Sequence, residues 1–256
     1  MLRKLLAISA VLVATQALTV QAQEPAFMEA ATHPGRQTFY TRALVSYASY
    51  DLDGESVDDF AFISKSAYGL HPRLALLFDA EARSIEIGDT RESGLDDVTL
   101  RLKYRYLQLD TSPINTIRAS ATAGLIMPGD KRINPNRNPA PRVGSAITAI
   151  FGRHGLNAQV DRKFLPETSD ETEVNASHLY RIAPSRYTRE TKGAWYTMLE
   201  SLNTFMDNGD YQIDLAVGIL YEARRWAAEA AFRLPLSEKG PRESDAKAII
   251  GYRHLF

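Results

Sequence analysis

The sequence predicts an all-β protein, an antiparallel transmembrane β-barrel of about 12 strands. Three observations lead to this prediction. Segments in which apolar and polar residues alternate recur along the chain, turn-forming residues separate them, and the last segment ends at a carboxy-terminal aromatic residue, Phe256. Alternation with a period of two is the pattern of a β-strand. After residue 22 no apolar run is long enough for a spanning helix, so a membrane crossing would have to use strands.

The first 22 residues have the pattern of a secretory signal peptide that is removed. Arg3 and Lys4 precede an apolar run over residues 5–18, and small residues follow at 19–22, where cleavage is expected. The run is about 14 residues long, short of the roughly 20 that a spanning helix needs, although a retained anchor stays an alternative. Residues 23–37 are then predicted to be an irregular lead-in and residues 38–256 the barrel.

The alternation is clearest over residues 97–109, DVTLRLKYRYLQL. Leu100 and Leu102 occupy one face of this segment, and Arg101 and Lys103 occupy the other. Comparable segments bounded by Gly, Pro, Asp or Asn predict 12 strands in all. They cover residues 38–50, 57–68, 73–86, 97–109, 114–127, 142–153, 155–165, 173–183, 192–204, 210–222, 225–236 and 244–256.

The connections between these strands alternate in length. The odd-numbered ones are predicted to be longer, at 51–56, 87–95, 128–141, 166–172, 206–210 and 237–243. The even-numbered ones are mostly tight turns, at 69–72, 110–113, 154–155 and 223–224, with a longer exception near 184–191. Short turns at one end and longer loops at the other are typical of outer-membrane barrels. Aromatic residues also gather at one rim of the apolar faces, as in an interfacial girdle: Tyr104, Tyr106, Trp195, Tyr221 and Trp226.

Alternation alone does not say which face meets water, because a soluble barrel would expose the charged face that a membrane barrel turns to its lumen. The terminal segment AKAIIGYRHLF favours the membrane barrel, since a last strand that ends in an aromatic residue is the pattern that outer-membrane assembly recognises. The apolar face should therefore meet lipid and the charged face should line a pore. The candidate pore-lining residues are Asp79, Glu81, Arg83, Arg101, Lys103, Arg105, Arg118, Glu200, Asp214, Glu229 and Arg233.

No constellation in the sequence points to catalysis, a metal or another cofactor. The chain has no cysteine, and its five histidines lack metal-ligand spacing. Ser177 and His178 are neighbours and point to opposite faces of a strand, so they do not form a nucleophile-base pair; a serine on an adjacent strand stays open as a partner of His178. Removal of Arg3 and Lys4 with the signal peptide would change the formal net charge from −1 to −3, which argues against a nucleic-acid partner.

Two stretches, GLDDVTLRLKYRYL at 94–107 and GLIMPGDK at 124–131, resemble the outer-membrane family named for the meta-pathway of phenol degradation. The terminal GYRHLF supports the same resemblance. It implies an outer-membrane barrel that passes small hydrophobic or aromatic compounds, and it brings no agreed catalytic residues.

The expected function is therefore that of a channel or diffusion transporter for small molecules in the bacterial outer membrane. Its partners would be outer-membrane lipid and lipopolysaccharide, the barrel-assembly machinery through the strand ending at Phe256, and a small-molecule substrate that the sequence does not identify. Two alternatives stay open: a closed structural or surface-binding barrel, and a soluble periplasmic β-protein that binds an apolar ligand.

Overall fold

The computed structural model describes residues 24–52, 54–112, 114–133, 138–166, 168–188, 190–240 and 242–256. The predicted signal peptide, residues 1–22, lies outside the described residues. The described chain forms 12 strands: β1 Phe39–Leu52, β2 Glu55–His71, β3 Leu74–Ile87, β4 Thr90–Asp110, β5 Thr116–Pro128, β6 Ala140–Phe151, β7 His154–Lys163, β8 Glu171–Ala183, β9 Gly193–Met206, β10 Tyr211–Ala223, β11 Trp226–Lys239 and β12 Arg242–Leu255.

The strands close into one antiparallel barrel, in which each strand pairs with its neighbours in the chain and β1 pairs with β12. Closure places Ala43 opposite Tyr252 and leaves both β1 and β12 without a free edge. The predicted fold is confirmed. Of the described residues, none belongs to a helix with the length and apolar character required to cross a membrane.

Both the start of β1 and the end of β12 lie at one end of the barrel, called here the near end; the opposite end is the far end. At the far end the prediction of longer connections holds for the segments between β5 and β6 and between β7 and β8. It is wrong between β1 and β2, between β3 and β4 and between β11 and β12, where two residues separate the strands. The strands themselves extend further than predicted at these three places. In the turn between β3 and β4, Gly88 supplies a positive φ of 56°.

The outer face of the barrel carries a broad apolar surface. Leu102 is 49% exposed although it is paired laterally with Leu76 and Ala123 in the neighbouring strands. Phe60, Phe62, Phe78, Leu100, Leu125, Val217, Phe232 and Leu234 are similarly exposed. A soluble monomer rarely exposes an apolar surface of this extent, whereas a lipid-facing barrel wall requires it. The apolar face thus lies outside, as predicted.

An aromatic belt surrounds part of the near end of the outer face. The ring centroids of Trp195 and Tyr221 are 4.9 Å apart, and those of Tyr221 and Trp226 are 5.3 Å apart. The chain of ring contacts then continues through Tyr252, His254, Phe256 and Phe39. Rings with an apolar body and a polar edge prefer the boundary between lipid and water, so this belt marks the near-end interface.

The two stretches that carry the family resemblance meet at the far end of β4. The amide of Asp130 donates to the carbonyl oxygen of Leu95 at 2.7 Å. A Cβ atom at Gly129 would lie only 2.0 Å from the carbonyl oxygen of Asp96 and 2.3 Å from that of Leu95. The glycine is therefore needed so that the backbone leaving β5 can cross β4 closely.

A charge on the outer face should destabilise the barrel in a depth-dependent way. Leu102 lies midway along β4. Its replacement by arginine should lower the free energy of unfolding by roughly 2–4 kcal/mol, because the cation would be placed near the bilayer midplane. Leu236→Arg, close to the far end of β11 where Leu236 is 64% exposed, should cost about 0–1 kcal/mol. Urea unfolding in lipid vesicles measures both. Equal costs for the two variants would contradict this orientation in the membrane.

Candidate functional site

Residues 24–36, called here the inner segment, lie inside the barrel. Ala26, Met28, Ala30 and Ala31 are all buried, at 3% exposure or less. The segment leaves the lumen at the near end, where the amide of Gln37 donates to the carbonyl oxygen of Gly69 at 2.7 Å, and β1 follows. The sequence predicted an irregular lead-in at 23–37 and gave no indication that this segment enters the barrel.

One side of the inner segment is held by β9 and β1. The carboxylate of Glu200 accepts the amides of Ala26 at 2.6 Å and Phe27 at 3.2 Å. The guanidinium of Arg42 donates to the carbonyl oxygens of Pro25 at 3.0 Å and Ala26 at 2.9 Å. The backbone of an irregular segment has no strand partner, so these wall side chains satisfy groups that would otherwise be buried without hydrogen bonds.

The opposite side is held by β4 through Glu29. One carboxylate oxygen of Glu29 lies 2.7 Å from Nη1 of Arg101, and the other lies 2.7 Å from Nζ of Lys103. Lys103 also donates to the carbonyl oxygen of Ala30 at 2.5 Å. Burial alone would raise the pKa of Glu29, but Arg101 and Lys103 outweigh it and hold that pKa well below its usual range. Glu29 is therefore a charged anchor at neutral pH.

Four further contacts complete the attachment. The amide of Glu29 donates to Gln159 at 2.7 Å, and the amide of Ala31 donates to Oγ1 of Thr148 at 2.8 Å. Nearer the end of the barrel, the carboxylate of Glu24 accepts from Arg253 and from the hydroxyl of Tyr40, each at 2.8 Å. The inner segment therefore crosses the lumen between walls formed by β1, β4, β6, β7, β9 and β12.

The structure places the predicted pore-lining residues on the inner side of the wall, and most of them make ion pairs there. Asp79 and Glu29 both contact Arg101, so this arginine bridges the wall and the inner segment. Glu200 and Glu229 lie at the level of the inner segment, where Glu229 pairs with Arg42 at 2.6 Å.

Two smaller groups of predicted residues lie above and below the inner segment. Toward the far end, Arg83 contacts Asp59 and Asp96, and Arg233 donates to Asp214 at 2.6 Å. Glu81 lines the same region. Toward the near end, Arg105 and Arg118 line the cavity described below. The predicted residues are thus spread along the lumen rather than gathered at one point.

Sequence reasoning missed several charged groups in the lumen. These are Glu24, Glu29, Arg42, Asp59, Lys65, Asp96, Arg142, Glu173 and Glu222. Alternation within β1 and β2 could have identified Arg42, Asp59 and Lys65. Each of them occupies an inner position in a strand whose outer positions are mostly apolar. Glu24 and Glu29 belong to a segment without periodicity, so no pattern marks them.

A cavity of about 650 Å³ remains between the inner segment and the wall, toward the near end. Its polar lining includes Asp79, Arg101, Lys103, Arg105, Gln108, Asp110, Thr116 and Arg118 from the wall, with Glu24, Glu29 and His33 from the inner segment. Met28, Leu77, Ile114, Ile150 and Leu255 contribute apolar lining. A volume of this size is in the range of small-molecule sites, which lie between about 300 and 1,000 Å³.

The histidine that sequence analysis left open as a catalytic base lies outside the lumen. Nε2 of His178 is 3.0 Å from Nδ1 of His154, and the two rings stack with centroids 5.3 Å apart on the outer face. The partner of His178 is therefore a second histidine rather than a serine. In the part of the chain that the structure describes, no group of three or more histidine, cysteine or carboxylate residues is arranged to hold a metal ion.

Comparison with known proteins gives no family model and no curated protein that matches this chain. A solved structure does match: the COG4313 outer membrane channel from Pseudomonas putida F1 superimposes with a TM-score of 0.65 at 14% sequence identity. The match covers 88% of this chain and 97% of the channel. The fold is that of an outer-membrane barrel.

Two more solved structures match at lower scores. The KdgM porin has a TM-score of 0.44 at 11% identity, over 83% of this chain and 99% of the porin. LpxR from Salmonella typhimurium has a TM-score of 0.49 at 9% identity, over 84% of this chain and 100% of that chain.

Proposed function

We propose that this protein is a channel or diffusion transporter for small molecules in the bacterial outer membrane. The observation that carries the proposal is a charged, cavity-containing lumen crossed by a separate segment. Hydrogen bonds, ion pairs and the apolar packing of Ala26, Phe27 and Met28 against the wall hold this segment, and it has no strand pairing to the wall. A barrel wall that is complete without the inner segment does not need that segment to stay closed. The segment is therefore suited to act as a movable obstruction.

The inner segment would have to leave its position for a solute to pass the middle of the lumen. Its anchors are individually reversible, because hydrogen bonds and ion pairs exchange readily for water wherever water enters the lumen. The wall residues that it releases, such as Arg101 and Glu200, would then line a hydrated path. No catalytic residue enters this function.

The resemblance of residues 94–107 and 124–131 to the phenol-degradation meta-pathway family also supports a role in the transport of small molecules. We place the chain in that family as part of the proposal, with small hydrophobic or aromatic compounds as the transported class. The near end is assigned to the periplasm and the far-end loops to the lipopolysaccharide side. The strand ending at Leu255, followed by the 68%-exposed Phe256, would be the segment that the assembly machinery recognises.

A closed structural or surface-binding barrel is the second candidate, and one observation favours it. The lumen contains many ion pairs besides those of the inner segment, among them Arg83 with Asp59, Arg142 with Asp161 and Lys163 with Glu173. Such pairs can fill a small barrel without any transport role. The third alternative, a soluble periplasmic β-protein, would expose the broad apolar outer face to water, which soluble monomers rarely do.

Membrane fractionation and planar-bilayer recording test the proposal together. The folded protein should partition with outer membranes, migrate differently on a gel before and after boiling, and give brief, infrequent conductance steps in bilayers. Recovery of folded protein in the soluble periplasmic fraction would contradict the membrane assignment. Absence of conductance both in the native chain and after removal of the inner segment would favour the closed barrel.

A further inference from the structure

The near-end part of the cavity contains two arginines that lack carboxylate partners. Arg105 of β4 donates through Nη2 to the carbonyl oxygen of Pro72 at 2.7 Å, and its buried Nε has no hydrogen-bond partner in the part of the chain that the structure describes. Arg118 of β5 donates through Nε to Oγ1 of Thr116 at 3.3 Å. Neither guanidinium lies within ion-pair distance of a carboxylate among the described residues.

The nearest acid of the same wall is already engaged. Asp110 accepts the hydroxyl of Thr116 at 2.6 Å and the side-chain amide of Gln108 at 2.5 Å. Deeper in the cavity the situation is different, since Arg101 and Lys103 share Glu29. Arg105 and Arg118 thus place two positive charges without an ion pair to any described residue at the near-end opening, and Lys65 and Arg36 add to the positive lining of the same cavity.

Apolar side chains line the same cavity as these arginines, and Ile150 pairs across the strands with Thr116, the residue that Arg118 contacts. Ile114 comes from the β4–β5 connection, Ile150 from β6, Leu255 from β12 and Met28 from the inner segment. A ligand that fits both parts would carry an anionic group and an apolar body. Guanidinium groups bind planar oxyanions through paired hydrogen bonds, which suits a carboxylate.

We infer that this cavity is a binding site for a small organic carboxylate with an apolar body. Arg105 and Arg118 hold the carboxylate, and Ile150 with the other apolar lining of the cavity contacts the rest of the molecule. The inference rests on the proposed function, because it names the chemical class of the transported solute, which would bind in the cavity next to the inner segment. It narrows the aromatic or hydrophobic class to compounds that carry a carboxylate.

Isothermal titration calorimetry on the full chain in detergent micelles tests the site, with benzoate as the probe. Benzyl alcohol is the neutral analogue, and inorganic phosphate is the anion without an apolar body. We expect benzoate to bind, and the other two probes to bind at least about tenfold more weakly. Benzyl alcohol lacks the anionic group, and phosphate lacks the apolar body. Loss of charge-assisted hydrogen bonds is expected to lower affinity by about tenfold or more.

The variant R105Q/R118Q should weaken benzoate binding by about tenfold or more, whereas R224Q/R225Q should leave it unchanged. The control pair also carries two arginines at the near end, in the exposed connection between β10 and β11. Each variant is first checked for the heat-dependent gel shift of a folded barrel. Where the double variant does not fold, R118Q alone is used, because among the described residues the Arg118 side chain hydrogen-bonds only to Thr116.

Three results would overturn the inference. They are equal binding of benzoate and benzyl alcohol, binding of phosphate as tight as that of benzoate, and unchanged benzoate affinity in the folded arginine variants. Because calorimetry does not depend on conduction, the two proposals fail separately. Binding in a barrel that never conducts would overturn the channel and keep the site, and conduction without binding would do the reverse.

Discussion

Deletion of residues 24–35 should turn a barrel with brief, infrequent conductance steps into one that conducts continuously in planar bilayers. The deleted residues include all the groups of the inner segment that contact Glu200, Arg101, Lys103, Thr148 and Arg253. The strands are untouched, because β1 begins at Phe39. The charged wall side chains left behind would face water, and hydration would replace the contacts that they lose.

A milder variant separates the charge of the inner segment from its volume. E24Q/E29Q keeps the size of both side chains and removes the carboxylates that pair with Arg253, Arg101 and Lys103. It should conduct intermittently, with an open fraction between those of the native and deleted proteins. The exposed loop variant R132Q is the control and should match the native chain. A deletion variant that shows the gel shift of a folded barrel but no conductance would contradict the movable obstruction.

Glu229→Gln should lower the free energy of unfolding by about 3–5 kcal/mol, because it leaves Arg42 buried without its counter-ion. The side chains of Arg42 and Glu229 are 4% and 1% exposed, and their atoms Nε and Oε1 are 2.6 Å apart. Gly251 makes room for this pair, since a Cβ atom there would lie 2.6 Å from Oε1 of Glu229. Urea unfolding in lipid vesicles measures the loss.

The matched control is again Arg132→Gln, which breaks an ion pair with Asp130 in an exposed loop. Water screens that pair, so the control should unfold like the native protein. Because Arg42 also donates to the carbonyl oxygens of Pro25 and Ala26, Glu229→Gln should loosen the inner segment as well. A loss below about 1 kcal/mol would mean that water reaches Arg42 and that this part of the lumen is wet.

The barrel could be predicted from the sequence because each strand has one face that must be apolar. Where that requirement ends, prediction fails. β4 was expected to begin at residue 97 and begins at Thr90, since its first residues include Arg91 and Glu92 on a part of the strand beyond the apolar surface. Polar residues on both faces remove the alternation without ending the hydrogen-bonded ladder.

The charged lumen could be predicted in part. Arg101, Lys103 and Glu229 were assigned to the inner wall from alternation together with the terminal segment that favoured a membrane barrel, and they lie there. The acids of the inner segment that pair with Arg101, Lys103 and Arg253 could not be assigned, because Glu24 and Glu29 belong to an irregular segment that meets residues far away in the chain. Glu24 contacts Arg253 across a separation of 229 residues, and no local pattern encodes such a contact.

The position of the inner segment has a consequence for the order of assembly. Its anchors are distributed over β1, β4, β6, β7, β9 and β12, so its docking surface is incomplete until the first and last strands have paired. Docking within the lumen must therefore follow closure of the wall. The earliest part of the described chain to be synthesised is thus the last to reach its final place.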